Sequence, residues 1–182
     1  RTGITIRSAT NTFGSIFFSD ATSGAGQYDG VVAYDHSTQT MRFSTASTQR
    51  MFINSNGQVT MSAQPSFAAY KATNSFTQSG VIVFDTTKHN IGSHYNTSNG
   101  RFTAPVAGVY QFTFYSIIKG NYTNAYFSIE INGSGSGGGQ YVHLTRNIGN
   151  NWDGKCITWD LNLNAGDYAV SYTHLTLPTS PK

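Results

Sequence analysis

Several features that define common protein classes are scarce in this sequence. Only 10% of its 182 residues are charged, and Glu130 is its one glutamate. Helical bundles depend on Glu, Lys, Leu, Ala and Arg, so that class is excluded. No apolar run approaches the length of about 18 residues that a membrane helix needs, and we expect no membrane insertion. Cys156 is alone, so no disulfide can form within the chain.

Charge also argues against a nucleic-acid partner. The chain carries 11 basic and 8 acidic residues, a net charge of +3. The basic residues are scattered along the chain and form no stripe with interleaved aromatic residues. A nucleic-acid surface normally shows such a stripe, so no nucleic-acid partner is expected.

Small polar residues and aromatic residues are abundant instead. Glycine occurs 19 times, Ser, Thr and Asn together 58 times, and aromatic residues make up 14% of the chain. Disordered chains are poor in aromatic and β-branched residues, so disorder is not expected. Short apolar runs separated by turn residues predict an all-β protein.

The sequence divides into four segments. Residues 1–61 form a β-rich module, and residues 62–66 form a linker in which Pro65 interrupts any strand ladder. Residues 67–170 form a second, more apolar β-rich domain. Residues 171–182 resemble a translated sequencing adapter, and we expect this segment to be an artefact outside the fold.

Both modules contain strand candidates. In the first they are Ile4–Ile6, Ser15–Phe18, Val31–Tyr34, Met41–Phe43, Met51–Ile53 and Val59–Met61, with a tight turn at Asn54–Gly57. In the second they are Phe67–Tyr70, Val81–Phe84, Gly100–Thr103, Val109–Ser116, Ala125–Ile131, Tyr141–Thr145, Lys155–Leu163 and Tyr168–Val170. Many short strands at this spacing indicate a sandwich or jelly roll.

Eight residues of the second domain have a specific spacing, F-x5-N-x4-Y-x6-F-x5-G-x-Y-x-F-x-F. They are Phe84, Asn90, Tyr95, Phe102, Gly108, Tyr110, Phe112 and Phe114. The pattern matches the signature of the C1q domain family at every position. The segment from Phe67 to about Val170 is therefore identified as a member of that family, which implies a C1q/TNF-like jelly-roll sandwich.

The last part of this pattern lies on one predicted strand. Its three aromatic residues alternate along the strand, so they share one face, which we expect to enter the core. Gln111, Thr113 and Tyr115 point the other way. The resemblance implies that this second face contacts neighbouring subunits of a homotrimer, while plain solvent exposure is the alternative, most evenly balanced for Thr113.

The resemblance also implies a final strand, inserted in the inner sheet, after the segment Asn164–Val170. Adapter-like residues stand there instead. We therefore expect a jelly roll truncated at its last strand, with unpaired backbone groups and an uncovered apolar face. Protein of this sequence is predicted to aggregate or to fold poorly.

The sequence offers no catalytic set and no recognised metal-ligand spacing. Gly133–Gly139 fits a hairpin loop better than a phosphate-binding loop, because strand-like residues follow it. Calcium at Asp85 or Asp153 is a lesser possibility, and no other cofactor is expected. Cys156 is predicted to be a buried apolar residue.

These observations favour a non-enzymatic binding or structural domain. The first module loosely resembles shaft modules of phage tail fibres, which implies the trimeric knob of a virion appendage that recognises a host-surface ligand. Abundant small polar residues suit a glycan as that ligand. The alternative is a secreted, extracellular C1q-like recognition or adhesion protein. A polysaccharide-cleaving spike is a third reading, but it needs a carboxylate pair that we cannot nominate.

Overall fold

The computed structural model describes residues 2–72, 80–119, 124–133, 140–144 and 152–176. These ranges contain strands, turns and one short 3-10 helix, Ala25–Tyr28. None of the helical structure in them is long and apolar enough to cross a bilayer. The chain divides into two compact units, Arg1–Gln64 and Pro65–Lys182.

The N-terminal unit is a five-stranded antiparallel sheet whose strands follow chain order. The strands are β1 (Phe13–Phe18), β2 (Gly30–Asp35), β3 (Thr40–Thr45), β4 (Thr48–Ile53) and β5 (Val59–Met61). The predicted turn at Asn54–Gly57 joins β4 to β5. There the Asn54 Oδ1 accepts hydrogen bonds from two backbone amides, and Gly57 supplies a φ of 79°.

One strand expected in this unit is absent from the structure. Residues Ile4–Ile6 lie in no strand, and Ile4 is 94% exposed. Their period-2 pattern was the only signal for a strand. Because a strand is stable only when a neighbour pairs with its backbone, the pattern alone was insufficient here.

A buried carboxylate organises the β2–β3 hairpin. The Asp35 side chain accepts hydrogen bonds from the Ser37 hydroxyl at 2.6 Å and the Ser37 amide at 3.0 Å. It also pairs with the Arg42 guanidinium at 2.8 Å. Hydrogen bonds from Ser37, its hydroxyl first, and from Thr38 lower the pKa of Asp35 to about 2.

The C-terminal unit contains ten strands. They are β6 (Ser66–Tyr70), β7 (Gly80–Val81), β8 (Thr86–Ile91), β9 (Tyr95–Asn96), β10 (Arg101–Thr103), β11 (Gly108–Lys119), β12 (Asn124–Ile131), β13 (Gln140–Leu144), β14 (Trp152–Leu163) and β15 (Tyr168–Thr176). The sequence missed β8 and β9. The candidate Val81–Phe84 contributes only its first residue to a strand, β7.

These strands form one large sheet and two strand pairs. The large sheet has the order β13-β12-β15-β10-β9, with β7 also paired to β15. The pairs are β11 with β14 and β6 with β8. β15 runs six residues beyond Val170, where the sequence placed the end of the domain, because Ser171–Thr176 continue the ladder along β12.

The core lies between the large sheet and the two pairs. Its buried residues are Ile82, Tyr95, Phe102, Ala104, Phe114, Phe127, Ile129, Trp159, Leu161, Leu163 and Ala169. They come from both layers, as a sandwich requires. The predicted all-β jelly-roll sandwich is confirmed.

Candidate binding surfaces of the C-terminal unit

Asn90 and Tyr95, the second and third residues of the eight-residue pattern, hold a tight turn. The Asn90 side-chain amide donates to the Tyr95 carbonyl at 2.7 Å, and its oxygen accepts from the Tyr95 amide at 3.1 Å. The turn between them contains Gly92 and Ser93, both with positive φ. Asparagine suits this position because one short side chain supplies a donor and an acceptor.

The Tyr95 hydroxyl forms two hydrogen bonds with the backbone of Phe84. It accepts from the Phe84 amide at 3.2 Å and donates to the Phe84 carbonyl at 3.1 Å. Phe84 lies outside any strand, so this hydroxyl replaces a ladder partner. Tyr95 is 5% exposed, and burial raises its pKa to about 12.

The aromatic residues of the pattern form a cluster around Phe102, which is 3% exposed. The centroid of its ring lies 5.3 Å from that of Phe67 and 5.4 Å from those of Tyr110 and Phe112. Phe114 contacts Phe84 at 5.9 Å between ring centroids. The described geometry therefore gives these residues a packing role.

Two further residues of the eight-residue pattern, Gly108 and Tyr110, lie at the start of β11. The Tyr110 hydroxyl donates to the Val106 carbonyl at 2.7 Å and closes the turn before the strand. Gly108 begins the strand, and a Cβ there would meet only the Tyr110 ring, at 4.0 Å. Nothing in the described surroundings explains why that residue is glycine.

The predicted alternation along β11 is confirmed. Tyr110, Phe112 and Phe114 face the core, while the intervening residues are exposed. We call the exposed side of β11 and β14 the outer face. Its exposed side chains are Val109, Gln111, Thr113, Tyr115 and Ile117 from β11, with Cys156, Thr158, Asp160 and Asn162 from β14.

The outer face has a polar centre and apolar ends. Cross-strand hydrogen bonds join Gln111 to Asp160 at 3.1 Å and the Thr113 and Thr158 hydroxyls at 3.0 Å. Val109 is 72% exposed at one end and Tyr115 63% at the other.

Cys156 corrects one prediction. It was expected to be buried, but it is exposed on the outer face. The register of the β11–β14 ladder sets Cys156 opposite Tyr115, whose side chain points away from the core. The apolar neighbour Ile157 suggested burial, but successive residues of a strand face opposite sides.

A groove of about 480 Å³ runs between β6 and β11. Its sides are Phe67–Lys71, along β6, and Gln111–Ile117, along β11. Each side is a run of consecutive residues, so the strand edges rather than their faces border the groove. Core side chains of the opposite layer form its floor, including Phe102, Ile129 and Ala169. We call this feature the strand groove.

Asp85, one of the two calcium candidates, is held by hydrogen bonds within the chain. The Asp85 carboxylate accepts hydrogen bonds from the Ala72 amide at 3.0 Å, the Thr86 hydroxyl at 3.1 Å and the Lys71 ammonium at 3.2 Å. These donors, the Ala72 amide first, lower the pKa of Asp85.

The side chain of Asp153, the second calcium candidate, lies outside the described residues. The predicted hairpin loop Gly133–Gly139 also lies outside them beyond its first residue. Within the ranges that the structure describes, no three residues of the types His, Cys, Asp and Glu gather closely enough to hold a metal ion.

The sequence is similar to a family model and to curated proteins. The family model of the C1q domain matches residues 66–167. Complement C1q tumor necrosis factor-related protein 3 of Homo sapiens is 45% identical over 51 residues, and so is that of Mus musculus. Each match covers 28% of this chain and 21% of the relative, so the chain spans about a fifth of these curated relatives.

A solved structure shares the fold. The globular domain of zebrafish complement 1qA protein aligns with a TM-score of 0.54 at 17% identity, covering 65% of this chain and 86% of that chain. At this identity the likeness concerns the fold alone. The family model, however, matches more than half of the chain and includes all eight residues of the pattern. The chain belongs to the C1q domain family.

Proposed function

We propose that the C-terminal unit is a non-enzymatic recognition domain that works as a homotrimer. The outer face, including Gln111, Thr113 and Tyr115, makes the contact between subunits. The observation that carries this proposal is the exposure of Val109, Tyr115 and Ile117 on one face of a single strand. Tyr115 and Ile117 are neighbours on this face, and exposed apolar patches are typical of interaction sites.

Recognition would be the task of the loops at the ends of the sandwich. Loops on a rigid scaffold carry binding residues in many β-sandwich proteins. Three copies on one axis would strengthen a weak contact through avidity. The high content of Ser, Thr, Asn and Tyr suits hydrogen bonding and stacking with a glycan on a host surface.

The first setting that we propose is the knob of a phage tail fibre or a similar virion appendage. The N-terminal unit supports it, because a separate β-sheet unit precedes the C1q domain in the chain. The second setting is a secreted, extracellular recognition or adhesion protein. The similarity to the human and mouse C1q tumor necrosis factor-related proteins supports this second setting.

Sequencing of the parent DNA distinguishes the two settings. Virion genes on both sides of this gene would establish the appendage. A signal peptide encoded upstream in the same frame would establish the secreted protein.

The trimer is tested by its mass in solution. We expect Tyr115→Arg and Val109→Arg to reduce the mass from three copies to one, because either change puts a charge into each contact of the trimer. Val106→Arg is the matched control, since Val106 is 61% exposed in the turn before β11. Sedimentation equilibrium measures the mass, and circular dichroism checks that each variant folds.

Two outcomes would contradict the proposed interface. One is a wild-type chain that stays monomeric at all concentrations. The other is a trimer that survives both outer-face variants.

A further inference from the structure

The two faces of the N-terminal sheet differ in polarity and in exposure. Residues that lie opposite each other in a ladder share a face, so the register assigns them to one side or the other. One face carries the ion pair between Asp35 and Arg42. The buried residues of the sheet, Ala33, Asp35 and Thr40, are all on that same face. The chain therefore covers the polar face of this sheet itself.

The opposite face is apolar and open. Nine large apolar or aromatic residues fill two adjacent rows across its five strands. One row is Ile16, Val32, Phe43, Met51 and Met61, and the next is Tyr34, Met41, Ile53 and Val59. None of them is buried, and the exposed fraction is 36% for Met41 and 57% for Val59. We call these nine residues the methionine face, because they include all three methionines of the chain.

The composition of the methionine face limits what can cover it. No member of the two rows is charged, so a charged or strongly polar surface would lose its hydration without gaining a partner. A flat apolar surface of similar size is the complementary occupant. The methionine face of a second copy has these properties, since it presents the same apolar rows and brings no charge into the contact.

The methionine face is too small to hold separate copies together. Next to the first row, the same side of the sheet continues with Gly30, Thr45 and Thr48, and Phe18 lies against Gly30. The two apolar rows therefore measure about 24 Å across the strands and about 10 Å along them. A stable interface buries about 800 Å² on each partner, which is considerably more.

The covalent connection to the C-terminal unit removes this limit. The boundary between the two units falls between Gln64 and Pro65, a few residues after β5 ends at Met61. Copies joined through the C-terminal units would hold their N-terminal sheets at an effective concentration of about millimolar. At such a concentration a small apolar contact can form.

We propose that the methionine faces of three copies pack against one another and form a shared apolar core. This inference rests on the proposed function, because the homotrimer of the C-terminal unit brings the three sheets together. The N-terminal unit then obtains from its neighbours the core that it lacks alone. The methionine face thus acts as a second, dependent interface of the trimer, distinct from the outer face.

Oxidation of the methionines measures whether their face is covered. Hydrogen peroxide transfers one oxygen atom to an accessible methionine sulfur, which gives the sulfoxide and water. We expect Met41 and Met61 to be oxidised about tenfold or more slowly in the wild-type trimer than in the Val109→Arg chain, which the proposed trimer predicts to be monomeric. Mass spectrometry of peptides from the oxidised full-length chains measures the rate at each site.

A charge on the methionine face separates the two interfaces. We expect Val59→Arg to raise the oxidation rates of Met41 and Met61 to those of the Val109→Arg chain, since the charge keeps the sheets apart. The mass should remain that of three copies, because the outer face is unchanged. Thr60→Arg is the matched control, since Thr60 is the next residue of β5, is exposed and points to the opposite face. It should keep both the trimer and the slow oxidation.

Three results would overturn the proposal. Equal oxidation in the wild-type trimer and the monomeric Val109→Arg chain would show that the methionine face is uncovered, while the trimer itself would stand. Slow oxidation in that monomer would show that the same chain covers the face. Slow oxidation in a Val59→Arg trimer would place the contact elsewhere.

Failure of the proposed trimer gives different results. A Val109→Arg chain that is still trimeric and still protected from oxidation would contradict the outer face but support the methionine face. A wild-type chain that stays monomeric and is oxidised rapidly would overturn both. Circular dichroism checks that each variant folds.

Discussion

The two units are both antiparallel β structure, yet they bury their side chains differently. The C-terminal unit has an aromatic core around Phe102. Among the described residues of the N-terminal unit, Ala33 is the one buried hydrophobic residue. The exposed fractions of Phe17 and Phe18 on β1 are 51% and 62%. An antiparallel ladder can therefore form with or without a core of its own.

The comparison indicates what stabilises each unit. Burial of large apolar side chains is the main favourable term in folding, so the C-terminal unit has its own source of stability. The N-terminal unit depends more on its ladder and on polar contacts such as those of Asp35. A single weakly covered sheet is marginally stable, and we expect this unit to gain stability by association with copies of itself.

Phe102→Ala should produce the largest difference in stability between the two units. Removal of a phenylalanine from a close-packed core costs about 3–5 kcal/mol. We expect this loss in the unfolding of the C-terminal unit alone, measured by denaturant titration with hydrogen exchange to assign the transition. Phe18→Ala, at an exposed site of the N-terminal unit, is the control and should change stability by less than about 0.5 kcal/mol. Equal losses of stability in the two variants would contradict the conclusion that only the C-terminal unit has an aromatic core.

Tyr95→Phe tests how much the hydrogen bonds of the Tyr95 hydroxyl stabilise the C-terminal unit. The change leaves the Phe84 amide and carbonyl without their partner and should cost about 1–3 kcal/mol. Tyr110→Phe, whose hydroxyl bonds one carbonyl at an exposed site, should cost about 1 kcal/mol or less. Thermal or denaturant unfolding of both variants measures the difference.

The same tyrosine predicts sensitivity to alkali. The pKa of Tyr95 is about 12 when folded and 10.0 when unperturbed. Its contribution is thus fully present below pH 10.0 and is lost as the pH rises through about 12. Tyr95→Phe should remove this part of the pH dependence. An unchanged alkaline profile in the variant would show that other groups control it.

Asp35→Asn tests the N-terminal unit and should have the smallest effect. The pKa of Asp35 is about 2 when folded, against an ordinary value of 3.8. Its contribution is present above pH 3.8 and is lost as the pH falls through about 2. The variant should flatten this acid dependence, measured by hydrogen exchange in β2 and β3. Asp20→Asn, at an exposed site, should leave it unchanged.

The sequence was most informative where side-chain pattern and packing agree. The aromatic alternation on β11 identified its core face, and the eight-residue pattern identified the family. β8 was missed because its residues are mostly polar and its partner β6 is not its neighbour in the chain. β9 was missed because it has only two residues, which is too short for a pattern. Ile4–Ile6 had the pattern of a strand without a neighbour. The strand groove lies between two strand pairs. Its edges, which are open among the described strands, and its apolar floor agree with the expected unpaired backbone groups and uncovered apolar face.

The position of β15 has a consequence for the time course of folding. The N-terminal strands pair in chain order, so each hairpin can form as soon as its second strand leaves the ribosome. In the C-terminal unit β15 connects β10, β12 and β7. The large sheet therefore cannot close until residues 168–176 have been synthesised. Nascent chains should therefore expose the aromatic residues of β10 and β11 to chaperones until β15 has been made, whereas the N-terminal ladder waits for no later strand.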